Sequence, residues 1–177
     1  DFALTNLSKL LQCQLSEIPL PVLRHSNGLK ALIGLNSFGS LIWPNSKSSG
    51  IDAPVLLVGG TYDLITPLLG EQFKVFLSTG GNPFNRFLVV EGASHFSPIR
   101  TKYKNLNKLE GDDVFKINEN FIGQSPNQVQ NLALEVIIQF LNNLEENKAM
   151  QVVKKQNTNK LKFHILNSQD VRNISNN

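Results

Sequence analysis

Residues Pro54–Gly60 (PVLLVGG) set four apolar side chains in an unbroken row and close on two glycines. The run is too short for an ordinary helix, has a β-branched residue at each end of its apolar stretch, and lacks the polar alternation of a strand with one wet face. It predicts a strand covered on both sides, which requires a layered sheet. Arg86–Glu91 (RFLVVE) is a second such run and Leu29–Leu35 (LKALIGL) a third, again read as covered on both faces. Between the first two, Thr66 and Pro67 supply an N-cap and an N1 residue. Leu69, Phe73, Phe76 and Leu77 then share one helical face until Gly80 and Gly81 stop the helix.

Two further helices are predicted. Leu4, Leu7, Leu10, Leu11, Leu15 and Ile18 repeat at helical spacing, giving a helix over 4–17 that Pro19 and Pro21 end. Ser125-Pro126-Asn127-Gln128 reads as a capping box, and Val129, Leu132, Ala133, Val136, Ile137, Phe140, Leu141 and Leu144 follow on one face. Residues 36–50 form a polar loop interrupted by Phe38, Leu41, Ile42 and Trp43, and 97–124 a long loop with one short helix. The order helix, strand, strand, helix, strand, helix specifies an α/β fold with about three parallel strands and flanking helices. So narrow a sheet has a bare apolar edge, and such edges are normally paired or protected. The chain also opens at Asp1, with neither an initiator methionine nor a signal-like segment. These features lead to the expectation of a partial domain over 1–146 whose N-terminal half is absent. A tail over 147–177, Lys/Asn-rich apart from the apolar run Leu161–Leu166, is expected to follow and to be poorly ordered.

Composition narrows the function classes. Of 177 residues, 41% are hydrophobic and 18% charged, which excludes wholesale disorder and a long solvated helix. No apolar run approaches the ~20 residues of a membrane-spanning helix. The formal charge of +3 lies entirely in the tail: residues 1–143 carry eleven basic and eleven acidic side chains. The body therefore offers no phosphate-binding face, and nucleic acid is not an expected partner. The tail lysines, Lys154, Lys155, Lys160 and Lys162, read as a solvated end rather than a membrane contact. Three scattered histidines and one cysteine give no zinc-ligand spacing, and no metal is expected. Cys13, on the apolar helix, is expected to be buried and inert. His25 and His164 receive no role.

In open α/β sheets, functional groups gather past the carboxyl ends of the strands. Asp63 lies three residues after Gly60, and His95 four residues after Glu91. Their strands flank one connecting helix, which should bring both loops to the same end of the sheet. There an imidazole can serve as general base while a carboxylate fixes its tautomer. Taken alone, Asp63 is equally a turn former or helix cap. Tyr62, Leu64 and Phe96 flank the two candidates and are read as lining a substrate pocket, with core packing as the alternative. Phe38 and Trp43 are candidates for a substrate wall.

These segments resemble a known superfamily. Ala53–Pro67 (APVLLVGGTYDLITP) and Phe87–Pro98 (FLVVEGASHFSP) are similar to the last two catalytic loops of α/β-hydrolases. Leu29–Gly39 (LKALIGLNSFG) resembles the sixth strand of the platelet-activating-factor-acetylhydrolase-like and dienelactone-hydrolase branch. The resemblance runs over residues 5–143 and is strong over 29–98. It implies the C-terminal half of a hydrolase sheet, with Asp63 as triad acid and His95 as triad base in the chain order nucleophile, acid, histidine. The implied activity is serine-type hydrolysis of a small or lipid-like carboxylic ester, without a cofactor.

One element of the family pattern is missing. No serine or cysteine occupies a G-x-S-x-G elbow: Ser37 lies between Leu35 and Gly39, Ser48 between Ser46 and Gly50, and Ser94 between Gly92 and Phe96. The nucleophile is therefore expected upstream, and the chain alone is expected to be inactive. The alternatives are a non-catalytic binding module on the same fold, or a thioesterase or lactone hydrolase.

Overall fold

All six residues of β2 (Val55–Gly60) are buried, and the sheet is assembled around them. A computed structural model of the chain describes residues 7–15, 28–42, 51–98, 115–117, 120–122, 124–158 and 161–176. On one side of β2 runs β1 (Leu32–Leu35), parallel, with Leu32 opposite Val55. On the other runs β3 (Arg86–Val90), also parallel, with Leu56 opposite Arg86. The α/β class and the three parallel strands follow the sequence reading.

The alternation of β2 and β3 decides what covers each face. Val55, Leu57, Phe87 and Val89 pack against Phe73 and Phe76 of α2 (Phe73–Ser78). The Phe87 ring centroid lies 5.3 Å from that of Phe73 and 5.4 Å from that of Phe76. Leu56, Val58, Leu88 and Val90 pack on the opposite face against Val129, Leu132, Val136 and Phe140 of α3 (Pro126–Glu145). Helix α3 begins at the expected proline, but the Ser125 side chain makes no cap hydrogen bond, so the expected capping box does not form. A backbone turn, Gln128 N–H to Ser125 O at 3.0 Å, stands in its place.

The sheet is wider than expected. β6 (Val153–Thr158) and β7 (Leu161–Leu166) form an antiparallel hairpin, and β7 pairs antiparallel with β3, giving the order β1-β2-β3-β7-β6. Residues 153–175, expected as a poorly ordered tail, are thus two strands and a helix. The reason lies in Leu161, Phe163 and Ile165, which join the α3-side core and are 1–5% exposed. Helix α4 (Ser168–Ser175) follows, with Val171 buried on the α2 side. It opens on a capping box in which the Asn167 side chain accepts from Asp170 N while Asp170 accepts from Asn167 N. Buried Arg86 ties this unit down: its Nε donates to Met150 O at 2.6 Å and its Nη1 to Pro83 O and Asn85 O. Burial lowers the guanidinium pKa, with the Asp170 carboxylate opposing the shift.

Other expectations change as well. Helix α1 covers Leu7–Leu15, with Cys13 exposed rather than buried: the helix buries Ser8 and Gln12 and leaves Leu10, Leu11 and Cys13 outward. The stretch read as a loop with a short helix contains a small hairpin, β4 (Phe115–Ile117) with β5 (Asn120–Ile122). Strand β1 is an edge, and it is not covered on both faces: Ile33 and Leu35 are exposed, since no described element packs over them. The other edge, β6, carries exposed Lys154 and Lys155 at a register irregularity. No described helix is long and apolar enough to cross a membrane.

If β7 belongs to the core, Phe163→Ala will cost about 3–5 kcal/mol. Urea unfolding of the two chains reads this directly, and an unchanged midpoint would detach the hairpin from the folded unit.

Candidate active site

Two glycines at the end of β2 allow the loops after β2 and β3 to touch. A Cβ on Gly60 would stand 2.1 Å from Ala93 O, so only glycine permits this approach. The seam is then closed by Thr61 N–H to Val90 O at 3.1 Å and Tyr62 N–H to Ala93 O at 3.0 Å. Gly92 turns the second loop at φ 78°, and its N–H donates to Thr61 Oγ1 at 2.8 Å. Asp63 and His95 are thereby held at the same end of the sheet, as their spacing from the strands predicts.

The Asp63 carboxylate is buried, 3% exposed, and accepts four hydrogen bonds from its own loop and helix. Oδ1 takes Ile65 N–H at 3.0 Å and Thr66 N–H at 2.7 Å. Oδ2 takes the Thr66 hydroxyl at 2.7 Å and Gln72 Nε2 at 3.0 Å. His95 Nδ1 then meets both oxygens, at 2.9 Å from Oδ2 and 3.1 Å from Oδ1. A carboxylate can only accept, so Nδ1 carries a proton and, in the neutral ring, Nε2 holds the lone pair. Among the described residues none is hydrogen-bonded to Nε2. The imidazole keeps 17% of its surface open while its carboxylate partner is sealed. The Phe96 ring packs edge-on against it, with centroids 5.3 Å apart. The arrangement can accept a proton at Nε2 and stabilise the imidazolium that results.

Thr66, Gln72 and Asn36 complete the frame; the sequence reading gives Thr66 only as an N-cap and assigns Gln72 and Asn36 no part in the site. Thr66, expected as an N-cap, uses its hydroxyl on Asp63 instead, and the helical segment starts one residue after Pro67. It starts as a π-helical turn, Leu68–Gln72, in which Glu71 and Gln72 are both buried. Such turns are rare and often mark functional positions. Gln72 Nε2 also donates to Thr66 O at 2.7 Å, and its Oε1 sits where a Cβ on Gly59 would be 1.7 Å away. The available signal was a glycine doublet beside a helix bearing two polar residues on its apolar face.

Glu71 fixes the loop after β1. Ser40 N–H and Ser40 Oγ donate to it at 3.1 and 2.7 Å, and Gln12 Nε2 of α1 at 3.0 Å. Burial alone would raise its pKa. Hydrogen bonds from Ser40, Ser8 and Gln12 outweigh that effect and hold it below the ordinary value.

Of the remaining candidates, Tyr62 and Leu64 are exposed on either side of Asp63, and Phe38 is exposed on the β1 loop. They are surface residues rather than core. Ser94 is buried and its hydroxyl is shared with Ser97 at 3.0 Å, while Ser37 is half-buried beyond β1. His164, given no role, bridges Lys154 O and, at 2.9 Å, Glu91 Oε1. That bond, together with Lys155 and Lys162, holds the Glu91 carboxyl below its usual range. Trp43, Ser48, His25 and Lys160 lie outside the described residues. Among the described residues no cluster of histidine, cysteine and carboxylate side chains could hold a metal.

Gly59→Ala is expected to cost about 1–3 kcal/mol by overpacking against Gln72. In a Gln72→Ala background the same substitution should cost far less. Additive effects in the double-mutant cycle would show that the amide does not occupy that space. For Glu71, a lowered folded pKa means stability that is fully present above the ordinary value of 4.5 and lost as pH falls through the folded value. Acid titration of unfolding free energy should accordingly be flatter for Glu71→Gln than for the parent chain below pH 4.5. Parallel curves would remove Glu71 from this role.

No protein-family model matches the chain, and a search of curated proteins returns no match. The functional reading rests on the geometry of Asp63, Thr66, Gln72 and His95.

Proposed function

We propose that the chain supplies the acid and the base of an α/β-hydrolase acting on carboxylic esters, and that its sheet is the C-terminal half of that fold. The observation that carries this reading is the contact of His95 Nδ1 with the sealed Asp63 carboxylate, 2.9 Å at its shortest, at the carboxyl end of the parallel strands. The serine is proposed to come from outside this sequence, on a strand pairing with the free edge of β1. In the mechanism, His95 Nε2 takes the serine proton as Oγ attacks the ester carbonyl. It then returns a proton to the leaving alkoxide, and the acyl-enzyme is hydrolysed by water activated at the same nitrogen. Asp63 keeps the proton on Nδ1 and offsets the charge of the imidazolium. Phe96, packed against the imidazole, and Tyr62 and Leu64, exposed next to Asp63 in the chain, favour an apolar or lipid-like ester, bound without a cofactor.

The absence of a G-x-S-x-G segment favours a second reading, a binding module that keeps the fold without the reaction. Hydrolysis of a short-chain activated ester by this chain, and by a longer protein that includes a nucleophile elbow, separates the two. The chain alone should be inert. In the longer protein, His95→Ala should abolish turnover, and Asp63→Asn should lower kcat roughly 10⁴-fold by favouring the wrong tautomer. Activity indifferent to His95 would end the hydrolase reading. Thioester and lactone substrates in the same assay assign the bond type.

A further inference from the structure

We infer that Asn36, at the carboxyl end of β1, is a positioning residue for His95. Its backbone N–H makes the last bond to β2, donating to Val58 O at 2.8 Å, and the chain then turns away at φ 47°. That left-handed conformation is one that few residues other than glycine, asparagine, aspartate and histidine adopt. From there the side chain of Asn36, a residue 3% exposed, donates from Nδ2 to the main-chain oxygen of His95, while the main-chain oxygen of Asn36 lies 3.3 Å from Thr66 Oγ1. One residue thus joins the end of β1 to the His95 main chain and to Thr66, whose hydroxyl in turn holds Asp63.

The chemistry selects asparagine. Glycine takes the same φ but cannot reach the histidine carbonyl. An ionised aspartate would face that carbonyl with an acceptor, and an imidazole is larger than the buried amide it would replace. Asn36 Oδ1 is buried without a hydrogen-bond partner among the described residues. Glycine would avoid that desolvation cost entirely, so a residue kept only for its turn has no reason to carry it. The amide bond to His95 is the feature that distinguishes asparagine here. It fixes the histidine main chain from the end of β1, complementing the carboxylate that fixes the ring.

The inference rests on reading Asp63 and His95 as the acid–base pair, and the test separates the two claims. In the ¹⁵N-labelled chain, the hydrogen-bonded Nδ1–H of His95 should give a low-field proton signal that disappears in Asp63→Ala. Asn36→Gly keeps the backbone conformation and Asn36→Asp keeps the side-chain size. In both, that signal should broaden or vanish while the methyl spectrum of the core stays native. A signal that survives both substitutions overturns the role of Asn36 and leaves the pair intact. No such signal in the parent chain overturns the pair, and Asn36 with it. Loss of the native methyl spectrum in both variants also overturns the inference, because Asn36 would then support the fold rather than the histidine.

Discussion

Two consecutive glycines end β2, and each makes room for a different neighbour. At Gly59 the space is filled by the Gln72 amide, and at Gly60 by the backbone of Ala93. Without the first, Gln72 could not stand beside Asp63. Without the second, the loop carrying His95 could not lie against the loop carrying Asp63. The position of the Asp63–His95 pair at the end of this sheet is therefore set by the absence of two methyl groups. Everything added later, from the threonine hydroxyl to the asparagine amide, refines a juxtaposition that the glycines permit.

Around that juxtaposition the protein has built a continuous polar frame in a place where burial makes every unpaired group expensive. The wide turn at Leu68–Gln72 buries two successive polar side chains and assigns them separate tasks. Gln72 reaches Asp63, and Glu71 reaches the loop after β1 and helix α1. Adjacent residues of one short turn thus hold the acid and the neighbouring loop. The arrangement couples the setting of the pair to a helix whose Gln12 lies 59 residues from Glu71 in sequence.

The parts legible in the sequence were those with local causes. Continuous apolar runs give β2 and β3, and the distance from strand end to charged residue gives Asp63 and His95. What stayed hidden depended on partners distant along the chain. Nothing local distinguishes Asn36 from a polar residue facing solvent, and Gln72 is marked only by its place on the apolar face of a helix that follows a glycine doublet. Residues 153–175 are rich in Lys, Asn and Gln, and that composition masked Leu161, Phe163 and Ile165, whose alternation is the signature of a strand with one buried face. The true capping box at Asn167 and Asp170 lies in the same stretch, whereas the expected one at Ser125 gives way to a plain backbone turn. Capping patterns show what a sequence can do, and the geometry of the entering chain decides whether it does so.

The two borders of the sheet differ in kind. Along β6 the outermost strand is lysine-bearing and irregular in register, a surface that resists further pairing. Along β1 it is short, apolar and unpaired among the described residues. A sheet with one adhesive border and one guarded border can grow by a single step. A strand that joins at β1, as the one proposed to bear the serine would, widens the sheet there, while β6 remains the border that ends it.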